Sequence, residues 1–304
     1  MIDLHTHSNV SDGLLSPAQL VHEAARRGIT VLALTDHDTV AGLAAASAAA
    51  EQLGIAFIPG IELSSDIGPF EVHILGYEID RADPDLLHSL AELEHLRLAR
   101  IEQIVARLSA IGLPVSLDRV RELAGPGTIG RPHVARAMIE QGYVTSIREA
   151  FERYLAAGRP AFVPRGKIVP EQAIALIRKA RGVPVLAHPL STGNIDLTLR
   201  RLIPAGLLGI EVYYAEYDDG TQAYLRSIAD RYDLIPTGGS DFHGEGFKAG
   251  RELGKAPVPA ECVERLRAAA ARLRAAAEPV EATAVHATLT QAAPIRSDMV
   301  RGRS

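Results

Sequence analysis

The stretch "IDLHTHSNVSDG", residues 2–13, decides how this chain is interpreted. His5 and His7 are two residues apart in a run that otherwise has the pattern of a strand, so both side chains point to one face and can hold one metal ion. Asp12 follows in the next loop and adds a carboxylate. A His-x-His pair alone indicates a metal site only weakly, so the rest of the chain must decide.

Seven short apolar or β-branched runs are candidate strands. They are "MIDLHTH" (1–7), "ITVLALTDH" (29–37), "IAFIPGIELS" (55–64), "FEVHILGYEI" (70–79), "VPVLAHP" (183–189), "GLLGIEVYY" (206–214) and "DLIPTGGSDFH" (233–243). Helical patterns lie between them, as in residues 16–28, where Ser16 suits the N-cap, Pro17 the first turn and Gly28 the end. This alternation predicts an α/β fold with helices covering a parallel sheet, and 304 residues suffice for one barrel with an insertion.

Residues 83–158 break the alternation with four helical patterns, the first of them long and amphipathic. We therefore predict a barrel built from residues 1–82 and 159–279, with 83–158 as a helical insertion that covers the substrate. Residues 280–304 lose apolar periodicity, and we predict that they form a disordered tail.

Ligand-type side chains follow or lie within six of the seven runs. In a barrel of parallel strands the functional groups gather at the carboxyl ends of the strands, and His73 alone lies in the middle of its run. The candidate metal ligands are His5, His7, Asp12, His37, Glu62, His73, His188, Asp241 and His243. Such a set, buried together without cations, would leave carboxylates unpaired at a large cost in free energy. We therefore predict a metal site.

Other residues near these runs allow two interpretations. A single histidine is more often a hydrogen-bonded core or loop residue than a ligand, and His22, His88 and His95 lie on charged helical patterns typical of solvated faces. Asp36 and Asp38 either orient the His37 ring or cap the loop. Whether Glu211 faces the site stays open.

Composition limits the class of protein. The chain is 47% hydrophobic and 23% charged, with a formal net charge of −5, which argues against stable binding of duplex nucleic acid by bulk electrostatics. The single cysteine, Cys262, excludes an internal disulfide and fits a reducing compartment. With no apolar run long enough for a membrane span and no leader pattern, we expect a cytoplasmic protein.

The motifs "DLHTHSNVSDG", "LTDHD", "GIE", "VHILGY", "AHP" and "GSDFH" resemble, in order, those of the PHP (polymerase and histidinol phosphatase) superfamily. This resemblance implies a distorted (β/α)7 barrel with two or three divalent metal ions. The segments "RPHVARAMI" and "FERYLAAGRPAFVP" resemble the branch that hydrolyses nucleoside 3′,5′-bisphosphates and short 5′-phosphorylated RNA. The implied substrate is thus a small phosphorylated nucleotide or a short RNA.

The resemblance also implies how the ligands divide among the ions. One ion would be bound by His5, His7, Glu62 and Asp241, a second by Glu62, His73 and His188, and a third by Asp12, His37 and His243, with Glu62 and Asp241 bridging. Nitrogen and oxygen ligands without thiolates suit Mn²⁺, Zn²⁺ or Fe²⁺, and we favour Mn²⁺.

The residues themselves indicate how a phosphate ester is hydrolysed. The only cysteine is remote from the motifs and no Gly-rich P-loop is present, so we predict direct attack by a metal-activated hydroxide, with Asp241 or His188 assisting proton transfer. Arg131 and His133 flank Pro132 at a predicted helix N-terminus, which favours a phosphate. Arg165 and Lys167 are further phosphate-binding candidates.

Three alternatives stay open. A histidinol phosphatase would share the barrel but not the "RPHVAR" segment. A non-catalytic metal-binding or nucleotide-binding module belongs to another class of protein, and the filled ligand positions argue against it. A polymerase-associated proofreading domain would need a partner chain.

Overall fold

Seven strands lie side by side in chain order and form a barrel that is nearly closed. The computed structural model describes residues 1–276 except 69, 126 and 165–167. The strands are β1 Ile2–Asp3, β2 Val31–Leu34, β3 Ala56–Ile67, β4 Phe70–Tyr77, β5 Val183–Leu186, β6 Gly209–Tyr214 and β7 Ile235–Gly239. At the two edge strands, the amide of Leu4 after β1 donates to the carbonyl of Gly238 in β7 at 3.2 Å, and the amide of His7 donates to the carbonyl of Phe242 at 2.9 Å. These bonds bring the two edges together.

The direction of β4 differs from the prediction. Strands β1 to β3 are parallel, as are β5 to β7, whereas β4 runs antiparallel to both its neighbours. The prediction of an entirely parallel sheet was therefore wrong, although the predicted distorted α/β barrel of seven strands is confirmed. The reason is the connection, because β3 ends at residue 67 and β4 begins at residue 70, and a parallel pair needs a crossover of a dozen or more residues.

Helices cover the outside of the barrel and form the insertion. Around the barrel they are α1 Pro17–Arg26, α2 Leu43–Leu53, α7 Pro170–Lys179, α8 Ile195–Leu202, α9 Asp219–Arg231 and α10 Ala260–Ala276, with a 3₁₀ turn at Pro189–Thr192. The start of α1 follows from its sequence: Ser16 Oγ accepts from the Gln19 amide and the Gln19 side chain accepts from the Ser16 amide, a reciprocal capping box. Gly28, with φ of +75°, follows the end of α1.

The segment between β4 and β5, where the insertion is predicted at residues 83–158, has an apolar core separate from that of the barrel. It contains α3 Pro84–Ala110, α4 Leu117–Ala124, α5 Arg131–Glu140, α6 Ile147–Ala150 and a π-helical turn at Phe151–Leu155. Ile104, Leu108, Val134 and Met138 are fully buried in its core, whereas the barrel core is built around other residues. Arg97 on α3 pairs with Asp38 of the barrel, and this contact holds α3 over one end of the strands.

Two further predictions concern the tail and membrane-spanning helices. The helix α10 ends at Ala276, so the tail predicted for residues 280–304 lies outside the described residues. Within the part of the chain that is described, no helix combines the length and the apolar composition needed to span a membrane.

Candidate metal centre

The nine predicted ligands all lie at one end of the barrel, which is the carboxyl end of its parallel strands. His5 and His7 follow β1, and their Nε2 atoms point the same way, as their spacing predicts. His5 Nε2 lies 3.2 Å from Glu62 Oε2 and 3.5 Å from Asp241 Oδ1, and His7 Nε2 lies 3.1 and 3.2 Å from the same two oxygens. These four side chains are buried and form the first group able to hold an ion.

Glu62 is the centre of the arrangement because its two oxygens face different histidines. Its Oε2 contacts His5 and His7 and lies 3.2 Å from His37 Nδ1. Its Oε1 lies 2.8 Å from His73 Nδ1 and 3.1 Å from His188 Nε2. One carboxylate on β3 therefore connects two sets of imidazoles.

The second and third groups differ in part from the predicted ligand sets. The second consists of His37, Glu62 and His73, with His188 beside Glu62 Oε1 rather than within the group. His37 joins it because residue 37 forms a parallel bridge with residue 62, which aligns the two side chains.

The third group is completed by a residue that the first group also uses. Asp12 Oδ1 lies 3.3 Å from His243 Nε2 and 3.9 Å from His7 Nδ1, and Asp12 Oδ2 lies 3.9 Å from His37 Nε2. His7 thus presents one ring nitrogen to each of two groups.

Unsatisfied ring nitrogens test whether these residues fit metal ions. Within the described residues, His7 Nδ1 and Nε2, Asp12 Oδ1, His37 Nδ1 and His73 Nε2 are buried without a hydrogen-bond partner. Leaving buried polar atoms unpaired costs about 1–3 kcal/mol each, so five in one place need an explanation. Divalent cations supply it, because imidazole nitrogens and carboxylate oxygens at this spacing are their ligands. The donor set fits.

The pKa values of the site also indicate that cations bind there. Burial lowers the pKa of His7, but the carboxylates of Asp241 and Glu62 beside its Nε2 outweigh burial and raise that pKa to about 10. Burial lowers the pKa of His37 to about 4, which the charges of Glu62 and Asp12 offset only in part. Without cations some imidazoles must hold protons to balance the carboxylates, and bound metal ions would replace those protons.

Glu211, left open by the sequence, lies behind the ligands. Its side chain on β6 is fully buried, with Oε1 2.9 Å from His5 Nδ1, while Oε2 accepts from the backbone amide of His188 at 2.7 Å. His188 has φ of +26°, an uncommon value for a residue with a side chain, so this hydrogen bond stabilises a strained backbone. Glu211 orients one candidate ligand and fixes the position of another.

Asp36 and Asp38 make contacts with loops and with the insertion, which supports the loop-capping interpretation over orientation of the His37 ring. Asp36 accepts from the Ser8 amide at 2.7 Å, the Ser8 hydroxyl at 2.6 Å and the Ser11 hydroxyl at 2.6 Å, which fixes the loop before Asp12. Asp38 accepts from the Ser64 amide at 2.9 Å and pairs with Arg97.

Arg131, one of the predicted phosphate-binding residues, lies between the insertion and the barrel. Arg131 lines a cavity of about 170 Å³ together with Asp12, His37 and His73. Arg97 and Arg100 line the same cavity and were missed, because on the sequence they are two charges on a long amphipathic helix.

His133, in contrast, caps its own helix. Its Nδ1 accepts from the Gly130 amide at 3.0 Å, and burial, together with the positive charge of Arg136, lowers its pKa. It lines a neighbouring cavity of about 270 Å³ that also reaches Asp12. Arg165 and Lys167 lie outside the described residues.

An open cleft of about 610 Å³ lies on the other side of the metal ligands. Tyr214 and Arg251 line it, and both contact Asp241 Oδ2, the tyrosine hydroxyl at 2.8 Å. Sequence reasoning missed both residues. Arg251 lies in a glycine-rich and charged loop after β7, and no pattern distinguishes it from a surface arginine.

Comparison with known proteins agrees with this geometry. The family model for the PHP domain matches residues 3–160. The chain belongs to the PHP domain family. The 3′,5′-nucleoside bisphosphate phosphatase of Chromobacterium violaceum is 40% identical over 261 residues, which cover 83% of this chain and 90% of that protein. The 5′-3′ exoribonuclease of Haemophilus influenzae is 38% identical over 258 residues, covering 83% and 93%.

A solved structure shows the same fold. A protein of Bifidobacterium adolescentis, described as a predicted metal-dependent phosphoesterase, matches with a TM-score of 0.79 and 32% identity over 88% of this chain and 96% of that one. The predicted family, barrel and enzyme class, a metal-dependent phosphoesterase, are thereby confirmed.

Proposed function

We propose that this PHP protein hydrolyses phosphate esters of small nucleotides, namely nucleoside 3′,5′-bisphosphates or short RNA with a 5′ phosphate. The observation that carries the proposal is the position of Glu62, which joins two of the three groups of imidazoles and carboxylates at the carboxyl end of the barrel. The names of the two relatives supply the substrate class.

The ligands would hold two or three divalent ions. His5, His7, Glu62 and Asp241 would hold a first ion; His37, Glu62 and His73, with His188 beside them, would hold a second; His7, Asp12, His37 and His243 would hold a third. Divalent ions held there would supply a lowered pKa for a water and positive charge to offset that of the phosphoryl oxygens. Mn²⁺ is our preferred ion, and the nitrogen and oxygen donors also suit Zn²⁺ or Fe²⁺.

The proton of the attacking water is assigned to His188 rather than to Asp241. The Asp241 Oδ2 oxygen already accepts hydrogen bonds from Tyr214 and Arg251, so it has little capacity for a proton. His188 lines the open cleft, and Ser191 Oγ, at 3.1 Å from Nδ1, fixes its ring orientation. An imidazole is suited to proton transfer near neutral pH.

We assign binding of the non-reacting part of the substrate to the insertion. Arg131, Arg97 and Arg100 surround the cavity beside His37 and His73, so they offer guanidinium groups to a second phosphate. Since the chain carries a net charge of −5, this local cluster is what attracts an anion. A cytoplasmic location, suggested by the single cysteine, belongs to the same proposal.

Phosphate release tests this function. We would offer adenosine 3′,5′-bisphosphate, 5′-phosphorylated short RNA and histidinol phosphate to the protein with Mn²⁺, Zn²⁺ or EDTA. His7→Ala removes a ligand, and His88→Ala, an exposed histidine on α3, is the matched control. We expect metal-dependent release from a nucleotide, lost only in His7→Ala. Release from histidinol phosphate alone would assign the protein to the phosphatase alternative, and no release would favour a binding module.

A further inference from the structure

Arg251 places a cation directly beside the candidate metal ligands. It lies in the loop after β7, ten residues beyond Asp241, and its guanidinium lines the open cleft with His188 and His243. The loop is fixed nearby, because the Gly254 amide donates to Asp3 Oδ2 at 2.8 Å. The position of Arg251 is therefore set by the barrel.

Three contacts hold the guanidinium in one orientation. Nη1 donates to Asp241 Oδ2, Nε lies 3.3 Å from Glu216 Oε1, and the group packs 5.5 Å from the centre of the Tyr214 ring. Nη2 makes no hydrogen bond to the described residues. The side chain is 18% exposed, and the exposed part belongs to the wall of the cleft.

This location is unfavourable for a protein that only binds metal ions. A positive charge a few ångströms from a divalent cation would be repelled by it. An anion bound to both would remove that cost, because its oxygens would have a cation on one side and the guanidinium on the other. A phosphate group is such an anion, and a guanidinium can donate two parallel hydrogen bonds to it.

We propose that Arg251 binds the phosphate group that is hydrolysed, from the side of the cleft opposite Arg131. Asp241, Glu216 and Tyr214 orient its guanidinium before substrate arrives. This inference rests on the proposed function, and it makes a distinction within it: Arg251 acts on every phosphate ester, whereas Arg131 acts only on a substrate with a second phosphate.

Binding of inorganic phosphate tests the proposal without relying on turnover. We would load the full chain with Mn²⁺, measure its metal content and titrate phosphate by calorimetry. Arg251→Gln is expected to keep its manganese and to bind phosphate at least tenfold more weakly. Its kcat/KM should fall about 100-fold, and this factor should be the same for a bisphosphate and a monophosphate. Arg226→Gln, which breaks ion pairs outside the cleft with Glu261 and Asp230, should change neither.

Each other outcome overturns the inference. Phosphate affinity within threefold of the wild type, at full manganese content, would show that Arg251 does not contact phosphate. Loss of manganese in Arg251→Gln would make the ion pair with Asp241 structural. Should that variant not fold, Arg251→Lys decides, because it keeps the positive charge beside Asp241 but cannot donate the two parallel hydrogen bonds of a guanidinium, so unchanged phosphate affinity would refute the proposal. A wild-type protein that binds manganese but neither binds nor hydrolyses phosphate compounds would instead refute the proposed function.

Discussion

Glu211 Oε1 lies 2.9 Å from His5 Nδ1, on the side of the ring away from the other candidate ligands. Since Nδ1 is held there, Nε2 is the nitrogen that faces Glu62 and Asp241. The same carboxylate accepts from the His188 amide, so it connects the ends of β1 and β5 through β6. A carboxylate behind a metal-binding histidine fixes its tautomer and increases its basicity.

The first prediction concerns this carboxylate. Glu211→Gln keeps the size of the side chain but removes the charge beside His5, so we expect kcat to fall about 10- to 100-fold with a smaller change in KM. Steady-state kinetics with Mn²⁺ measure this. Glu171→Gln, which removes a carboxylate paired with Arg201 on the surface, is the matched control. Activity of Glu211→Gln within twofold of the wild type would contradict the assigned role.

The second prediction concerns metal content. Because the two oxygens of Glu62 face separate sets of histidines, Glu62→Gln should lose at least one equivalent of Mn²⁺ and weaken the binding of a second ion. His73→Ala should affect only the group on the Oε1 side. Metal analysis after dialysis against a weak chelator measures the equivalents of Mn²⁺ that each variant keeps. Glu92→Gln, at an exposed position, is the control. Equal losses in the Glu62 and His73 variants would mean that Glu62 does not bridge.

The third prediction separates the two phosphates of a bisphosphate. Arg131 lies over the Phe151 ring at 5.2 Å, at the start of the π-helical turn, and faces the cavity beside His37 and His73. Arg131→Ala should raise KM at least tenfold for a nucleoside 3′,5′-bisphosphate and less than threefold for a simple aryl phosphate. Arg148→Ala, which changes an exposed arginine of α6, should change neither KM. An equal rise for both substrates would refute a second-phosphate site at Arg131.

The sequence was sufficient where function depends on local pattern. The seven strands follow from short apolar runs, and the candidate ligand positions follow from the ends of those runs. His73 did not fit this rule because its strand was assumed to be parallel. Since β4 runs antiparallel, its first residues lie at the carboxyl end of the neighbouring strands, and His73 is paired with Ser64 across the β3–β4 ladder.

The residues that sequence reasoning missed are those whose role depends on tertiary contacts. Arg251, Tyr214 and Arg97 carry no signal in their own segments, because an arginine on a loop or a helix is usually solvated and a tyrosine in an apolar strand is usually a core residue. Their positions beside the ligands depend on barrel closure and on how the insertion packs. The presence of His37 in the second group as well as the third has the same origin, since it follows from the bridge between residues 37 and 62.

The last prediction concerns Cys262, the single cysteine, which is fully buried against the barrel on α10. Burial raises the pKa of its thiol from near 9 to about 12, because the thiolate would be desolvated. A raised folded-state pKa means that the unfolded chain loses this proton first as the pH increases. The contribution of the thiol to stability is therefore complete below pH 9 and is lost as the pH rises towards 12.

Two measurements check this assignment. Alkylation of the native protein at pH 8 should be at least 100-fold slower than that of the protein in denaturant, since only an exposed thiolate reacts. The free energy of unfolding should decrease more steeply between pH 8 and 10 in the wild type than in Cys262→Ala, in which no thiol titrates. Rapid alkylation of the folded chain, with circular dichroism unchanged, would place Cys262 at the surface and contradict the packing of α10 against the barrel.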